Sequence, residues 1–331
     1  PLEVQIFLLL LSGIAITFLG GLLFTNAIEY VGHKARWTGS FTGAVVAPLF
    51  TSMPELIIFL VALYVYGGDI GEKIGVGTIL GQPFMAATII FPTMFLVALA
   101  GYLLKRRHDL VLEVERILVI PYIIFTVLYP LVLLPLLPIG YGKYAASAVL
   151  LLSYILYTGI MFRSKSMLIS EAEEIYLKRV FRKGSWIPMV ALQLTIAVAL
   201  LIMGSRTLVS GIDDASKNLD VSPIALAILV TPLAAVLPES ITAVIWTFRG
   251  KDTLAVAAMI GEKVLYSTFY PAIGLILTEW EIDSHAILSV IIVEITSLII
   301  LYHVWKGKLT LDVAAIGLGG YMVFAIYAFL Y

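Results

Sequence analysis

From Ile6 to Phe24 the chain runs without one charged side chain. An α-helix needs about 20 such residues to cross the hydrocarbon core of a bilayer. The run is too long for a signal-peptide core and lacks a basic segment before it, so it reads as a first membrane span. Nine further stretches behave alike, and the ten candidates cover 5–29, 39–66, 73–102, 117–137, 142–162, 187–211, 222–248, 253–278, 286–305 and 310–330. The composition agrees. Hydrophobic residues make up 61%, charged residues 13%, and the mean hydropathy is +1.03, against about 45–50% and about 25% in soluble domains. The expected fold is an all-α membrane protein of ten transmembrane helices, with the lipid bilayer as its first partner.

The net charge of -1 and the lack of a basic domain argue against a nucleic-acid partner. The absence of cysteine removes disulfides, thiolate metal sites and cysteine nucleophiles. No Gly-x-Ser-Gly, no paired intramembrane aspartates and no His-Glu-x-x-His occur, so the chain does not read as an enzyme and needs no cofactor.

Basic residues sort by loop. Sixteen of the 21 Lys and Arg fall in odd-numbered loops, three (Lys73, Lys143, Lys217) lie in even loops or span edges, and Arg206 and Lys263 lie within spans. The positive-inside rule then places odd loops in the cytoplasm and both termini outside. The expected location is multi-pass in the plasma (cell) membrane. Arg206 is expected to pair with Asp213 or Asp214, or to reach outward. The longest loop, 164–185, carries Glu174 and Lys178 four apart in the favourable order, and Leu168, Ala172, Ile175 and Tyr176 as a modest apolar stripe. It reads as a solvated or interfacial cytoplasmic helix.

The sequence also matches itself at an offset of 184 residues. Gly20 meets Gly204, Glu29 meets Asp213, Pro48 meets Pro232, Pro54 meets Pro238 and Glu55 meets Glu239. After a four-residue deletion Gly81 meets Gly261 and Thr88 meets Thr268. The repeat unit holds five spans, and an odd number reverses orientation. The expected organisation is a first five-helix repeat over 1–163, a cytoplasmic loop over 164–185 and a second, inverted repeat over 186–331. Inverted repeats with broken helices and a midplane site mark many secondary transporters. Spans two, three, seven and eight, interrupted by Pro or Gly, are the expected broken helices.

Span two carries Thr51-Ser52-Met53-Pro54-Glu55 and span seven carries Val236-Leu237-Pro238-Glu239-Ser240. Proline removes a backbone donor and opens the helix beside each glutamate. A charge at the bilayer centre costs about 2.5–3.5 kcal/mol, so two glutamates facing lipid would cost about 5–7 kcal/mol. Glu55 and Glu239 are therefore the expected cation and metal ligands, facing each other or a cavity. Thr51 and Ser52 precede Glu55 on the same stretch and are expected to help, the bland account being back-bonding to the previous turn. Span eight places Glu262 and Lys263 in an otherwise apolar run. Glu262 joins the candidate ligands. Lys263 either pairs with Glu239 or Glu262, or stands in for a bound monovalent cation, and so modulates the charge of the site. Gln82, Thr78, Ser240 and Tyr266 form a second tier. Tyr266 and Tyr270, one helical turn apart, read first as aromatic packing. The four histidines sit at span ends or in loops.

The stretches Thr51-Ser52-Met53-Pro54-Glu55-Leu56 and Pro238-Glu239, with a glycine motif after each, resemble the sodium/calcium exchanger family of the calcium/cation antiporter superfamily, as a divergent prokaryotic-type member. The resemblance is close over spans two, three, seven and eight and topological elsewhere. It implies ions bound between these four helices, with Thr51, Ser52, Glu55 and Glu239 matching the family's ligands. Ala235 and Val236 replace the second Thr-Ser pair, Gln82-Pro83 and Glu262-Lys263 replace the Ser-Asn of each glycine motif, and Ala86 and Tyr266 stand where further ligands are usual. The implied function is a secondary active antiporter working by alternating access. It exchanges calcium or another inorganic cation for sodium or protons (Ca2+, Na+ or H+ as transported ions), and a monomer is expected to suffice. An ion channel or a non-transporting scaffold on the same fold is the alternative.

Overall fold

The computed structural model describes residues 2–35, 47–114, 116–163, 174–181 and 185–330. It is helical almost throughout. The helices are α1 (Leu2–Lys34), α2 (Ala47–Thr51), α3 (Met53–Leu60), α4 (Gly68–Met85), α5 (Phe91–Leu103), α6 (Val119–Leu128), α7 (Gly142–Arg163), α8 (Tyr176–Phe181), α9 (Trp186–Leu219), α10 (Pro223–Phe248), α11 (Asp252–Ser267), α12 (Phe269–Leu277), α13 (Ser284–Lys306) and α14 (Leu311–Leu330). Among the described residues six helical stretches are long and apolar enough to cross a membrane: Leu2–Lys34, Gly68–Leu103, Val119–Leu136, Trp186–Leu219, Ser284–Lys306 and Leu311–Leu330. Large apolar side chains such as Phe7, Leu96, Leu156, Met203 and Phe329 lie exposed along the helices. Such a surface suits lipid, and closed helical hydrogen bonding is what the bilayer interior demands.

Interruptions fall where the sequence removes donors or admits unusual geometry. Ser52 separates α2 from α3 with φ -92° and ψ 11°. Val61–Tyr66 then continues as a π-helical turn that ends at Gly67, whose φ of 76° suits glycine. A second π-turn, Ala86–Ile90, joins α4 to α5 just after Pro83. Thr268, at φ -124° and ψ -75°, divides α11 from α12. The stretch after α6 tightens into a 3-10 helix, Tyr129–Leu136, around Pro130 and Pro135.

Two expectations are corrected. Span seven is not broken: α10 runs unbroken through Pro232 and Pro238. Each proline forfeits one intrahelical bond, yet neighbouring helices close on both rings. A Cβ on Gly81 would lie 2.7 Å from Pro232 Cγ, and one on Gly21 3.2 Å from Pro238 Cγ. Packing at that closeness holds the backbone helical where proline alone would bend it. The chain is also not purely helical. Leu112–Glu113 (β1) and Lys308–Leu309 (β2) pair antiparallel, Leu112 opposite Leu309, tying the loop after α5 to the loop after α13.

Glycines set the close helix crossings. A Cβ at Gly13 would meet Leu208 backbone at 2.7 Å, and one at Gly204 would meet Thr17 N at 2.6 Å, so α1 and α9 pack backbone to backbone. Arg206 on α9 is exposed. That agrees with the outward of its two expected placements, and Asp213 is bonded to Lys217 at 2.8 Å, one turn along the same face of the helix, and to the Tyr66 hydroxyl at 2.5 Å.

Of the expected loop helix, Leu168 and Ala172 lie outside the described residues. Glu174 and Lys178 pair at 2.6 Å, and that bond holds the Glu174 carboxyl below its ordinary range. Asn26 on α1 and Gln193 on α9 dock the segment. Asn26 Oδ1 accepts from Tyr176 N at 3.0 Å, and Gln193 Oε1 accepts from Leu177 N at 3.1 Å. Ile175 is buried beneath it with Ala27 and Val190.

Candidate functional site

α10 packs against α3 and α4, and α11 packs against α2, α4 and α10. The elements that bear the expected ligands therefore adjoin. The approach of α4 to α10 depends on missing side chains. A Cβ on Gly77 would stand 2.6 Å from Ala227 Cβ and 2.7 Å from Ile224 O. The glycine motif read from the sequence thus acts by letting two backbones meet.

Glu55 sits in the first turn of α3, just after the Ser52 break, and is 1% exposed. Pro54 before it cannot donate to the Phe50 carbonyl. A carboxylate is favoured by the helix N-terminal dipole and disfavoured by burial away from water. Such a group gains most from a cation or a proton. Glu239 lies on α10, and its side chain is outside the described set. Glu262 on α11 is buried. Among the described residues no three acidic or histidine side chains gather to hold a metal ion.

The hydroxyls expected to help mostly bond back along their own helices. Thr51 donates to Pro48 O at 3.3 Å, Thr78 to Ile74 O at 2.8 Å and Ser240 to Val236 O at 2.7 Å. This is what hydroxyls do in apolar helices. Gln82 differs. It is buried, and its Oε1 has no hydrogen-bond partner among the described residues. An amide oxygen left so is available to a cation.

Ser52 is engaged from a second helix. Its Oγ lies 2.6 Å from Pro48 O and 2.7 Å from the Tyr270 hydroxyl, and that hydroxyl donates to Ser52 O at 2.9 Å. Tyr266, fully buried, stacks on Tyr270 with ring centroids 6.2 Å apart. Both rings pack with Leu49 and Leu56 of α2 and α3.

Lys263 is 0% exposed, and its ammonium donates to the Tyr122 hydroxyl on α6 at 2.6 Å. Phe91, Tyr122 and Phe125 surround it, with ring centroids 5.5, 4.8 and 5.1 Å away. Among the described residues no carboxylate lies within 4.0 Å of it. The sequence left open a pairing with Glu239 or Glu262, or a role in place of a monovalent cation. The geometry places the charge in an aromatic box, held by cation–π attraction and one hydroxyl.

Two groups escape a reading of the sequence. Glu294 on α13 is close enough to interact electrostatically with Lys263, and its Oε1 is buried with no hydrogen-bond partner among the described residues. A signal for it exists: it is the sole charged residue between His285 and His303. The other is a buried ion pair. Arg107 meets Asp252 with two hydrogen bonds of 2.8 and 3.0 Å, and sequence order separates them by 145 positions. In the sequence Arg107 stands only as one more loop charge.

A family model described as sodium/calcium exchanger protein matches residues 5–163 and 189–330. No curated protein matches the chain. Solved structures do. The H+/Ca2+ exchanger CAX aligns over 100% of this chain and 86% of its own at 16% identity, with a TM-score of 0.71. YfkE aligns over 100% and 93% at 14% identity, TM-score 0.67. The sodium-calcium exchanger NCX_Mj aligns over 98% and 99% at 17% identity, TM-score 0.60. At such identities the structures share the fold. The family match carries further, because it runs through both halves of the chain and includes the Pro-Glu segments of α3 and α10. The chain belongs to the sodium/calcium exchanger protein family.

Proposed function

We propose that this protein exchanges calcium, or another cation, for sodium or protons through a midplane site between α2–α3, α4, α10 and α11. Membership of the family makes it an integral membrane protein and a secondary transporter, not an enzyme, and supports cation antiport. The observation that carries the site is Glu55, 1% exposed at a helix break. A carboxylate buried there is stabilised further by a bound cation or proton. Gln82 adds, on the adjoining helix, an amide oxygen with no hydrogen-bond partner among the described residues. Glu239 is the proposed partner acid and Glu262 a third, with Thr51, Ser52, Thr78, Ser240 and Tyr266 around them. Calcium takes six to eight oxygens and at least two carboxylates would suit its charge. Lys263 on α11 is the proposed modulator of the charge moved per cycle.

The proposed architecture is ten spans in two inverted repeats, 1–163 and 186–331, either side of a cytoplasmic loop. The two stretches of family match, 5–163 and 189–330, support that division. Both termini then lie outside the plasma membrane, and a monomer contains the whole site.

The test is radiolabelled calcium uptake into proteoliposomes, driven by an outward sodium gradient or by a pH gradient. Uptake under one gradient names the coupling ion. Glu55→Gln is expected to abolish it while the protein stays monodisperse. Full exchange by that variant overturns the site.

A further inference from the structure

The cation site proposed above contains a group that its ligand chemistry does not require. The Tyr270 hydroxyl meets both oxygens of Ser52, the carbonyl oxygen at 2.9 Å and Oγ at 2.7 Å. Ser52 is the residue at which α2 gives way to α3, three positions before Glu55. Tyr270 stands two positions past Thr268, at which α11 gives way to α12. The two helix breaks, one in each half of the chain, are therefore joined by one phenol across 218 positions of sequence.

The environment fixes the ring. Tyr270 is 2% exposed, with Tyr266 stacked on one side and Phe269 centred 5.8 Å away. A phenol so held offers its hydroxyl in one direction. Ser52 has one hydroxyl proton, which serves either Pro48 O or the Tyr270 oxygen, and the Tyr270 hydroxyl lies within hydrogen-bond distance of both the Ser52 carbonyl and Ser52 Oγ. The two Ser52 oxygens that face Tyr270 are thus satisfied by protein, where a bound cation would need them as ligands.

We infer that Tyr270 is a positioning and specificity-determining residue of the transport site, a latch that competes with the cation for the oxygens of Ser52 and ties the helix break of one half to that of the other. Cation binding through Ser52 requires the hydroxyl to leave. Binding at Glu55 and opening of the latch then become one event that links α2–α3 to α11–α12. The latch lowers affinity, and it couples occupancy to movement between the halves. This inference rests on the proposed site and adds the group that controls access to it.

The experiment uses the full-length protein in proteoliposomes, with calcium as the probe. Initial uptake is measured against calcium concentration for wild type, Tyr270→Phe, Ser52→Ala and the double variant. Tyr270→Phe keeps the ring and removes the competing hydroxyl. A hydrogen bond of ordinary net strength corresponds to about a fivefold lower KM. In the Ser52→Ala background the effect of Tyr270→Phe should shrink at least about twofold, because one of its two targets is gone. A raised KM in Tyr270→Phe would make the hydroxyl a ligand and overturn the latch. An equal effect in both backgrounds would mean general loosening of the helices, which overturns it as well. A second measurement is independent of the ion. The chain has no cysteine, so Ser52→Cys yields one thiol, whose rate of modification by a small thiosulfonate is compared with and without Tyr270→Phe. The latch predicts a rate at least about fivefold higher without the hydroxyl, by the same conversion. Equal rates overturn it. Calcium flux absent in wild type and in every variant, with the rate difference present, would retain the latch and remove calcium as the transported ion.

Discussion

Removing either partner of the Arg107–Asp252 pair should destabilise the protein more than any surface charge change. Side-chain exposure is 2% for Arg107 and 10% for Asp252, so solvent screens the pair little. Asp252→Ala deletes three hydrogen bonds, two from Arg107 and one from the Glu113 amide, and among the described residues leaves the guanidinium with carbonyls alone, those of Thr247 at 2.9 Å, Val111 at 3.3 Å and Asp109. A buried charge stripped of its partner costs about 3–5 kcal/mol. Arg107→Ala does the reverse. It leaves the Asp252 carboxylate, among the described residues, with the Glu113 amide at 3.4 Å, and also removes one donor from each of the three carbonyls. Of these carbonyls only the Thr247 contact is buried, and Thr247 O also accepts from Gly250 N at 3.1 Å, so Arg107→Ala should fall in the same range of about 3–5 kcal/mol. Arg107→Lys keeps the charge and loses the bidentate fork, for about 1–2 kcal/mol. The expected order places Arg107→Ala and Asp252→Ala together, ahead of Arg107→Lys. The assay is reversible unfolding in mixed detergent micelles followed by tryptophan fluorescence, with amide exchange at Glu113 as a local probe. The Glu113 amide should exchange faster in Asp252→Ala, while the Val114 amide, bonded to Gly307 O at 2.9 Å, should not. Losses below about 1 kcal/mol in both alanine variants would refute the reasoning, since that is the scale of a solvated pair.

Two further outcomes follow from packing and charge. Gly77→Ala puts a methyl 2.6 Å from Ala227 Cβ and 2.7 Å from Ile224 O, neither of which can rotate away, so α4 and α10 must part. Overpacking of this kind costs about 1–3 kcal/mol, read as lost unfolding stability, and unchanged stability would show that the crossing is loose. Lys263→Met keeps the volume within the box of Phe91, Tyr122 and Phe125 and removes a buried ammonium. Its stability should stay within about 1 kcal/mol of wild type or rise, by up to about 4 kcal/mol. A loss above about 3 kcal/mol would mean that the Tyr122 bond and the aromatic faces outweigh desolvation.

The candidate site was partly legible for local reasons. Proline beside glutamate within an apolar run identifies Glu55 without any neighbour, since both the lost donor and the cost of burial are properties of the segment itself. The same logic extends to Glu294, alone in the apolar run of α13, and would have identified it. Tyr270 was not legible. A tyrosine one turn from another tyrosine predicts stacking, and the rings do stack. The direction of the hydroxyl depends on which helix lies opposite. Span seven misled because proline's effect on a helix is conditional: α10 keeps its course through Pro232 and Pro238 where Gly81 and Gly21 let neighbouring helices close on the rings.

What the sequence determined by itself was whatever depends on one segment at a time. Hydrophobic length makes helices, prolines within spans two and eight remove donors close to the breaks at Ser52 and Thr268, and glycines mark close approach. Tertiary structure decided the partners. Ser52 meets Tyr270 across 218 positions, Arg107 meets Asp252 across 145, and Lys263 meets Tyr122 across 141. Each pairing depends on the rotation of two helices about their axes, and that rotation is set by the packing of every neighbour together, which no single segment encodes.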